Sequence, residues 1–151
     1  VAEIGSAPLP QRNPGLSSSS EEEKPMSLKD QTLAVIDSLN RHDFAGLITR
    51  FDEDAILDLP DGIRVVGQAS FRDTLSAYVL RHELTLTDSL VMTDEAGFRA
   101  AVECTLNGHN RRAIDTDARG EAGPYTLAAV LVLEREGDLF SRLSLFCTVQ
   151  P

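Results

Sequence analysis

The chain has 151 residues, 42% of them hydrophobic and 25% charged, and its 14 basic and 24 acidic side chains leave a net charge of −10. That length suits one domain around one core and excludes a multidomain enzyme. The acidity repels phosphate backbones and anionic bilayers alike, so neither nucleic acid nor a membrane surface is an expected partner.

Residues 1–25 differ in kind from the rest. Pro8, Pro10, Pro14 and Pro25 fall here, and Ser17 to Ser20 run into Glu21-Glu22-Glu23-Lys24. Such a composition buries too little apolar surface to offset its ordering entropy, so a flexible arm is expected ahead of a domain spanning 26–151. Met26, at the boundary, reads either as an alternative translation start or as an ordinary internal methionine. The sequence has neither a basic-then-apolar leader nor an apolar run of the ~18–20 residues a membrane-crossing helix needs, which makes a cytoplasmic location the expectation.

Ser27-Leu28-Lys29-Asp30 has the form of a capping box, and Leu28, Val35, Ile36 and Leu39 make an apolar stripe at helical spacing. A first helix to about Arg41 follows. Asp43 caps a short second helix with Phe44, Leu47, Ile48 and Phe51 on one side. Ala55 to Leu59 is a short strand closed by Pro60-Asp61-Gly62, and Ser70-Phe71-Arg72-Asp73 opens a third helix that carries Phe71, Leu75, Tyr78 and Val79 on its apolar side.

Beyond the third helix the hydrophobic period changes from 3.6 to 2. Leu84 to Met92, Phe98 to Asn107, Tyr125 to Arg135 and Leu139 to Val149 read as four strands of an antiparallel meander, so the fold class is α+β. The 108–124 loop is long and rich in charge and glycine, and mobility is expected there. Cys104 and Cys147 lie in strand segments and read as reduced core thiols. His42, His82 and His109 lack metal-ligand spacing, so no metal site and no cofactor are expected.

The order of elements and several local phrases resemble the nuclear-transport-factor-2-like (NTF2-like) superfamily, with its ketosteroid isomerases and SnoaL-type polyketide cyclases. The phrases are Asn40-Arg41-His42-Asp43, Phe51-Asp52-Glu53-Asp54-Ala55, Pro60-Asp61-Gly62, Val66-Gly67 and Glu136-Gly137-Asp138-Leu139, and the likeness spans about residues 28–149. It implies a cone-shaped fold in which three N-terminal helices pack on a strongly curved, mostly antiparallel sheet. The isomerase's general base falls at Leu59, its oxyanion-hole aspartate at Ala129 and its helix-one tyrosine near Val35, all apolar, so steroid isomerisation by that mechanism is excluded. Leu106-Asn107-Gly108-His109 is loosely similar to a Gly-Thr-His-like phrase of the cyclases, whose aspartate has no counterpart in the last strand.

Strand alternation combined with the resemblance implies a mostly apolar pocket. Its lining is Leu57 and Leu59; Ala100, Val102, Cys104 and Leu106; Tyr125, Leu127, Ala129, Leu131 and Leu133; and Arg142, Ser144, Phe146 and Thr148, with Tyr78 contributed by the third helix. Asp58 and Glu103 then point to the other face. His82 is either a general base at the cavity mouth or a complement to the helix C-terminus, and His109 is either catalytic or an exposed loop residue. Arg142 requires a carboxylate partner, an anionic ligand or an outlet to water. Thr126, Ala128, Val130 and Val132 form a second apolar-leaning row on the outer face, which points to a homodimer. The function implied is a SnoaL-like protein binding a small apolar, ring-containing or polyketide-like molecule, with cyclase, isomerase or dehydratase activity of unassigned mechanism. The alternative is a non-catalytic NTF2-like module for dimerisation or for binding a ligand or partner.

Overall fold

A computed structural model describes residues 26–110 and 123–148. The expected arm, and the 111–122 part of the long loop, lie outside the described residues. Three helices, α1 (Leu28–Asn40), α2 (Phe44–Ile48) and α3 (Gln68–His82), accompany six strands: β1 (Phe51–Asp58), β2 (Arg64–Val66), β3 (Thr85–Thr93), β4 (Arg99–Asn110), β5 (Gly123–Glu136) and β6 (Leu139–Cys147). The strands form one sheet in the order β2-β1-β6-β5-β4-β3, antiparallel throughout except for the parallel pair β1 and β6. The α+β class and the mostly antiparallel sheet are therefore as the sequence implies. No helix among the described residues is long and apolar enough to cross a membrane.

Each element has a local cause. The Ser27 hydroxyl accepts from the Asp30 backbone N–H at 3.0 Å, which is the expected cap of α1. The Asp43 carboxylate accepts from Gly46 N–H at 3.0 Å and starts α2. That helix ends at Ile48, earlier than the apolar stripe suggests. Phe51 belongs instead to β1, where its buried ring sits 4.6 Å from Phe71 and 5.4 Å from Phe140, centroid to centroid. The Gln68 amide donates to the Ile48 and Phe51 carbonyls at 3.3 and 3.0 Å, which satisfies the backbone at this corner. Helix α3 starts at Gln68, two residues before the Ser70 signal, because Gly67 turns the chain at φ +105, a conformation only glycine adopts readily. Strand β2 was not expected; it is a three-residue return after the Pro60 turn and pairs with the end of β1. Strands β4 and β5 run further into the long connection than their apolar stretches indicate, pairing as far as Asn110 and Gly123.

The helices cover one face of the sheet. Leu57, Leu86, Val102, Leu131, Leu133, Leu143 and Leu145 point into a single buried cluster with Val35, Leu39, Leu47, Leu75 and Val79 from the helices. Asn40 ties α1 to the edge strand β3. Its amide donates to the Leu86 carbonyl at 2.9 Å and its oxygen accepts from the Leu86 N–H at 2.8 Å, closing backbone groups that no further strand pairs. Replacing this side chain strands two half-buried backbone groups. Asn40→Ala is expected to lower the unfolding free energy by about 2 kcal/mol in urea titration, and Asn40→Asp, which keeps only the acceptor, by about half as much. A loss below a few tenths of a kcal/mol would show that water replaces the amide without cost.

Candidate ligand-binding site

The described residues border at least two concavities. One is a cleft of about 340 Å³ between α3 and the 60–63 turn, lined by Leu59, Asp61, Ile63, Asp73, Thr74, Ala77, Tyr78 and Arg81. The other is a groove of about 590 Å³ on the sheet face that no helix covers, bordered by Asp88, Leu90, Glu103, Thr105, Val130, Phe146 and Thr148. Cys104, Ala129 and Cys147 also border the groove.

The expected pocket residues separate into three groups. Leu57, Ala100, Val102, Leu106, Leu131 and Leu133 are part of the sealed core, each no more than 2% exposed, and Cys104 and Ala129 belong to the same buried cluster. Leu59, Tyr78, Tyr125 and Leu127 lie toward the cleft end, the last three only half-buried. Arg142, Ser144, Phe146 and Thr148 are on the opposite face from the one expected. The cause is a β-bulge: Glu134 pairs with Arg142 but Arg135 with Phe140, so Ser141 is an extra residue on β6 and the alternation reverses there. Phe140 faces the core on one side of the bulge; Leu143, Leu145 and Cys147 do so on the other. Phe146 is consequently 54% exposed, beside Val130 on the outer face.

Arg142 finds its counter-charge there. Its guanidinium donates to Asp58 Oδ2 at 2.8 and 3.0 Å, the Ser144 hydroxyl donates to the same oxygen at 2.9 Å, and Arg64 Nε meets Asp58 Oδ1. The Asp58 carboxyl is held down to about 2, chiefly by the Arg64 hydrogen bond, with Ser144 and Arg142 adding to it and burial opposing. One carboxylate thus joins β2, β1 and β6.

At the cleft end Tyr78 and His82 are partly buried. Tyr78 and His82, one helical turn apart, have ring centroids 4.8 Å apart. Burial pushes the Tyr78 phenol up to about 12, with Cys147, Asp61 and Tyr125 adding to the shift and Arg81 opposing it. Burial and Arg81 lower His82, against Asp61. Burial, then Cys147, raises Tyr125, and burial raises both thiols. At neutral pH the phenols and thiols therefore keep their protons while His82 is an uncharged imidazole able to accept one. Charge in the cleft lining is carried by Asp61, Asp73 and Arg81.

His109 does not join this group. By strand parity it falls on the face opposite Gly108, and its Nδ1 is buried without a partner among the described residues. Cys104 and Cys147 flank Ala129 from strands on either side of β5, about 9.6 Å apart at two strand spacings, which is outside disulfide reach. Among the described residues no three His, Cys, Asp or Glu side chains are gathered as a metal ion would require. Asp61 and Arg81 were missed as lining residues, although Arg81 stands three positions after Tyr78 and so shares its helix face. Cys147 was missed through the β6 bulge.

The chain belongs to the SnoaL-like domain family, which it matches over residues 33–142. Its fold is that of the NTF2-like and ketosteroid-isomerase-like proteins. A candidate polyketide cyclase from Pseudomonas putida KT2440 is 22% identical with a TM-score of 0.72, covering 82% of this chain and 93% of that one. SalBIII, an epoxide hydrolase/cyclase-like enzyme of pyran ring formation in the polyether salinomycin, is 18% identical with a TM-score of 0.66 over 81% and 91% of the two chains. A protein of ketosteroid-isomerase-like fold from Catenulispora acidiphila DSM 44928, in complex with trimethylamine, is 14% identical with a TM-score of 0.64 over 77% and 83%. At these identities the likeness concerns the fold. Comparison with curated proteins gives no match.

The Asp58 cluster sets a pH dependence with a definite sign. A carboxyl whose folded pKa lies below its ordinary value stabilises the fold above that value, and the contribution is lost as pH falls through about 4 toward 2. Asp58→Asn is expected to cost on the order of 1 kcal/mol at pH 7 and to flatten the melting temperature between pH 4 and 2. Parallel curves for wild type and variant across that window would show that the cluster contributes nothing.

Proposed function

We propose that this chain is a SnoaL-like small-molecule protein that takes a neutral, apolar, ring-containing or polyketide-like compound at the α3 end of a cone-shaped fold. The single observation that carries this reading is the 340 Å³ cleft, where Leu59, Ile63 and Ala77 offer apolar wall beside the Tyr78 phenol, whose ring packs against the His82 imidazole. The family and the ring-forming neighbours support cyclase or isomerase chemistry in this place. In such chemistry His82 is the group able to take a proton and Tyr78 the group able to donate a hydrogen bond, a division of labour that does without the acids absent at Leu59 and Ala129.

A second reading rests on the uncovered sheet face. Leu90, Met92, Val130 and Phe146 are between 39% and 58% exposed there. An apolar row of this kind suits a second copy of the chain, and a non-catalytic dimerisation module would need nothing more. Two free thiols fit a reducing compartment such as the cytoplasm.

Equilibrium dialysis with tetralin, a neutral bicyclic hydrocarbon, separates the readings. One equivalent should bind per chain, with affinity reduced at least tenfold by Ala77→Trp, which fills the cleft, and unchanged by Val130→Trp, which fills the groove. The reverse pattern would place the ligand on the outer face. No uptake by the wild type would favour the dimerisation module.

A further inference from the structure

The groove on the outer sheet face is built around one cross-strand row. Leu90, Glu103, Val130 and Phe146 are partners in register on β3, β4, β5 and β6, so they stand in line over about 14 Å, three strand spacings. Three of the four are apolar and between 39% and 58% exposed. The fourth, Glu103, is an exposed carboxylate with Leu90 on one side and Val130 on the other.

A bulge in β3 shapes the end of this row. Thr87 pairs with Thr105 and Leu90 with Glu103, so Asp88 and Ser89 together oppose Cys104. Asp88 absorbs the extra residue at φ +54, a left-handed conformation that aspartate and asparagine tolerate better than most side chains. Strict alternation from the buried Leu86 would turn Asp88 and Leu90 into the core. With the bulge Val91 packs on the core instead, Leu90 is turned out, and Asp88 borders the same groove as Glu103. Neither carboxylate makes a hydrogen bond or ion pair with a described residue, and none of the described residues lining the groove is basic. On this face Arg142 is committed to Asp58 at 2.8 and 3.0 Å, and Arg99 stands four positions from Glu103 along β4, opposite Glu134.

We propose that this groove is a second ligand site, for a small organic cation whose ammonium group lodges at Asp88 and Glu103 while its apolar body lies along Val130 to the exposed ring of Phe146. The site is independent of the cleft beside α3 and goes beyond the reading given for that cleft. Two carboxylates without a basic neighbour in the lining, on a chain of net charge −10, attract a cation and repel an anion. The apolar side chains flanking Glu103 exclude water from part of that contact and strengthen it. Phe146, two strands from Glu103 and so about 9.6 Å away, offers a ring face to the far end of the same molecule. A groove of about 590 Å³ is the size that one small molecule fills. A second copy of the chain suits it less well. A two-fold contact centred here would enclose Asp88 and Glu103 of both chains with no cation from the groove to balance them.

Equilibrium dialysis of the full chain with phenylbutyltrimethylammonium, and with the neutral isostere in which carbon replaces its nitrogen, reads charge at constant shape. One equivalent of the cation should bind per chain, at least tenfold more tightly than the isostere, and the preference should shrink as salt is added. Glu103→Gln and Asp88→Asn should each lower cation affinity about fivefold while moving the isostere less than twofold. Both positions are exposed, and asparagine accepts the left-handed backbone at the second, so the variants should fold. Phe146→Leu should weaken both probes, and Ala77→Trp, which fills the cleft, should weaken neither. Equal affinity for the two probes, or a cation affinity unmoved by both Glu103→Gln and Asp88→Asn, would overturn the proposal. Loss of cation binding in Ala77→Trp would also overturn it, by moving the ion to Asp61 and Asp73 in the cleft. A dimer in sedimentation that Val130→Trp dissociates, with no cation uptake by the wild type, would assign the face to a second copy. In that case the proposal fails and the reading of the cleft stands.

Discussion

The parallel pairing of β1 with β6 is the contact on which the rest of the structure depends. It brings the strand between α2 and α3 against the last strand of the meander, so that the early helices have a sheet to lie on. Its backbone hydrogen bonds are reinforced from the side away from the core, where Asp58 gathers Arg64, Arg142 and Ser144. Removing one partner of such a cluster costs more than the net worth of the pair, because the remaining charges keep their desolvation penalty. The cluster is thus a register device. It fixes which residue of β1 stands beside Ser144, and hence which face Leu57 and Leu59 present.

With β1 in register the described helices cover one side of the sheet, and that asymmetry positions the candidate site. Helices fill the concave face so completely that its centre is packed solid around Leu57, Val102, Leu131 and Leu133. Space is left where the packing runs out, between α3 and the 60–63 turn. The polar side chains that line it are Asp61 from the turn and Asp73, Thr74, Tyr78 and Arg81 from α3. Function is placed at the margin of the core, where a ligand can enter without unpacking it.

Much of this was legible in the sequence. Ser27 and Asp43 announce their helices because a cap is a local interaction, and the change of period after His82 announces the strands because one face of each is buried. The misreadings arise where a tertiary contact overrides a local signal. Phe51 continues the stripe of α2 on paper but is drawn into β1 by Phe71 and Phe140. One extra residue at Ser141 reverses the face of everything after it on β6, and nothing in Ser141-Arg142-Leu143 marks the bulge. Arg142 is unpartnered in sequence and paired in space, 84 positions from Asp58.

The account's central claim is that the ligand sits in the cleft between α3 and the 60–63 turn. The most direct test is a crystal structure of the protein grown with α-tetralone. The ring system should lie against Leu59 and Ala77, beside the Tyr78 ring. Density for the ligand between Leu90 and Phe146 on the outer sheet face would contradict it.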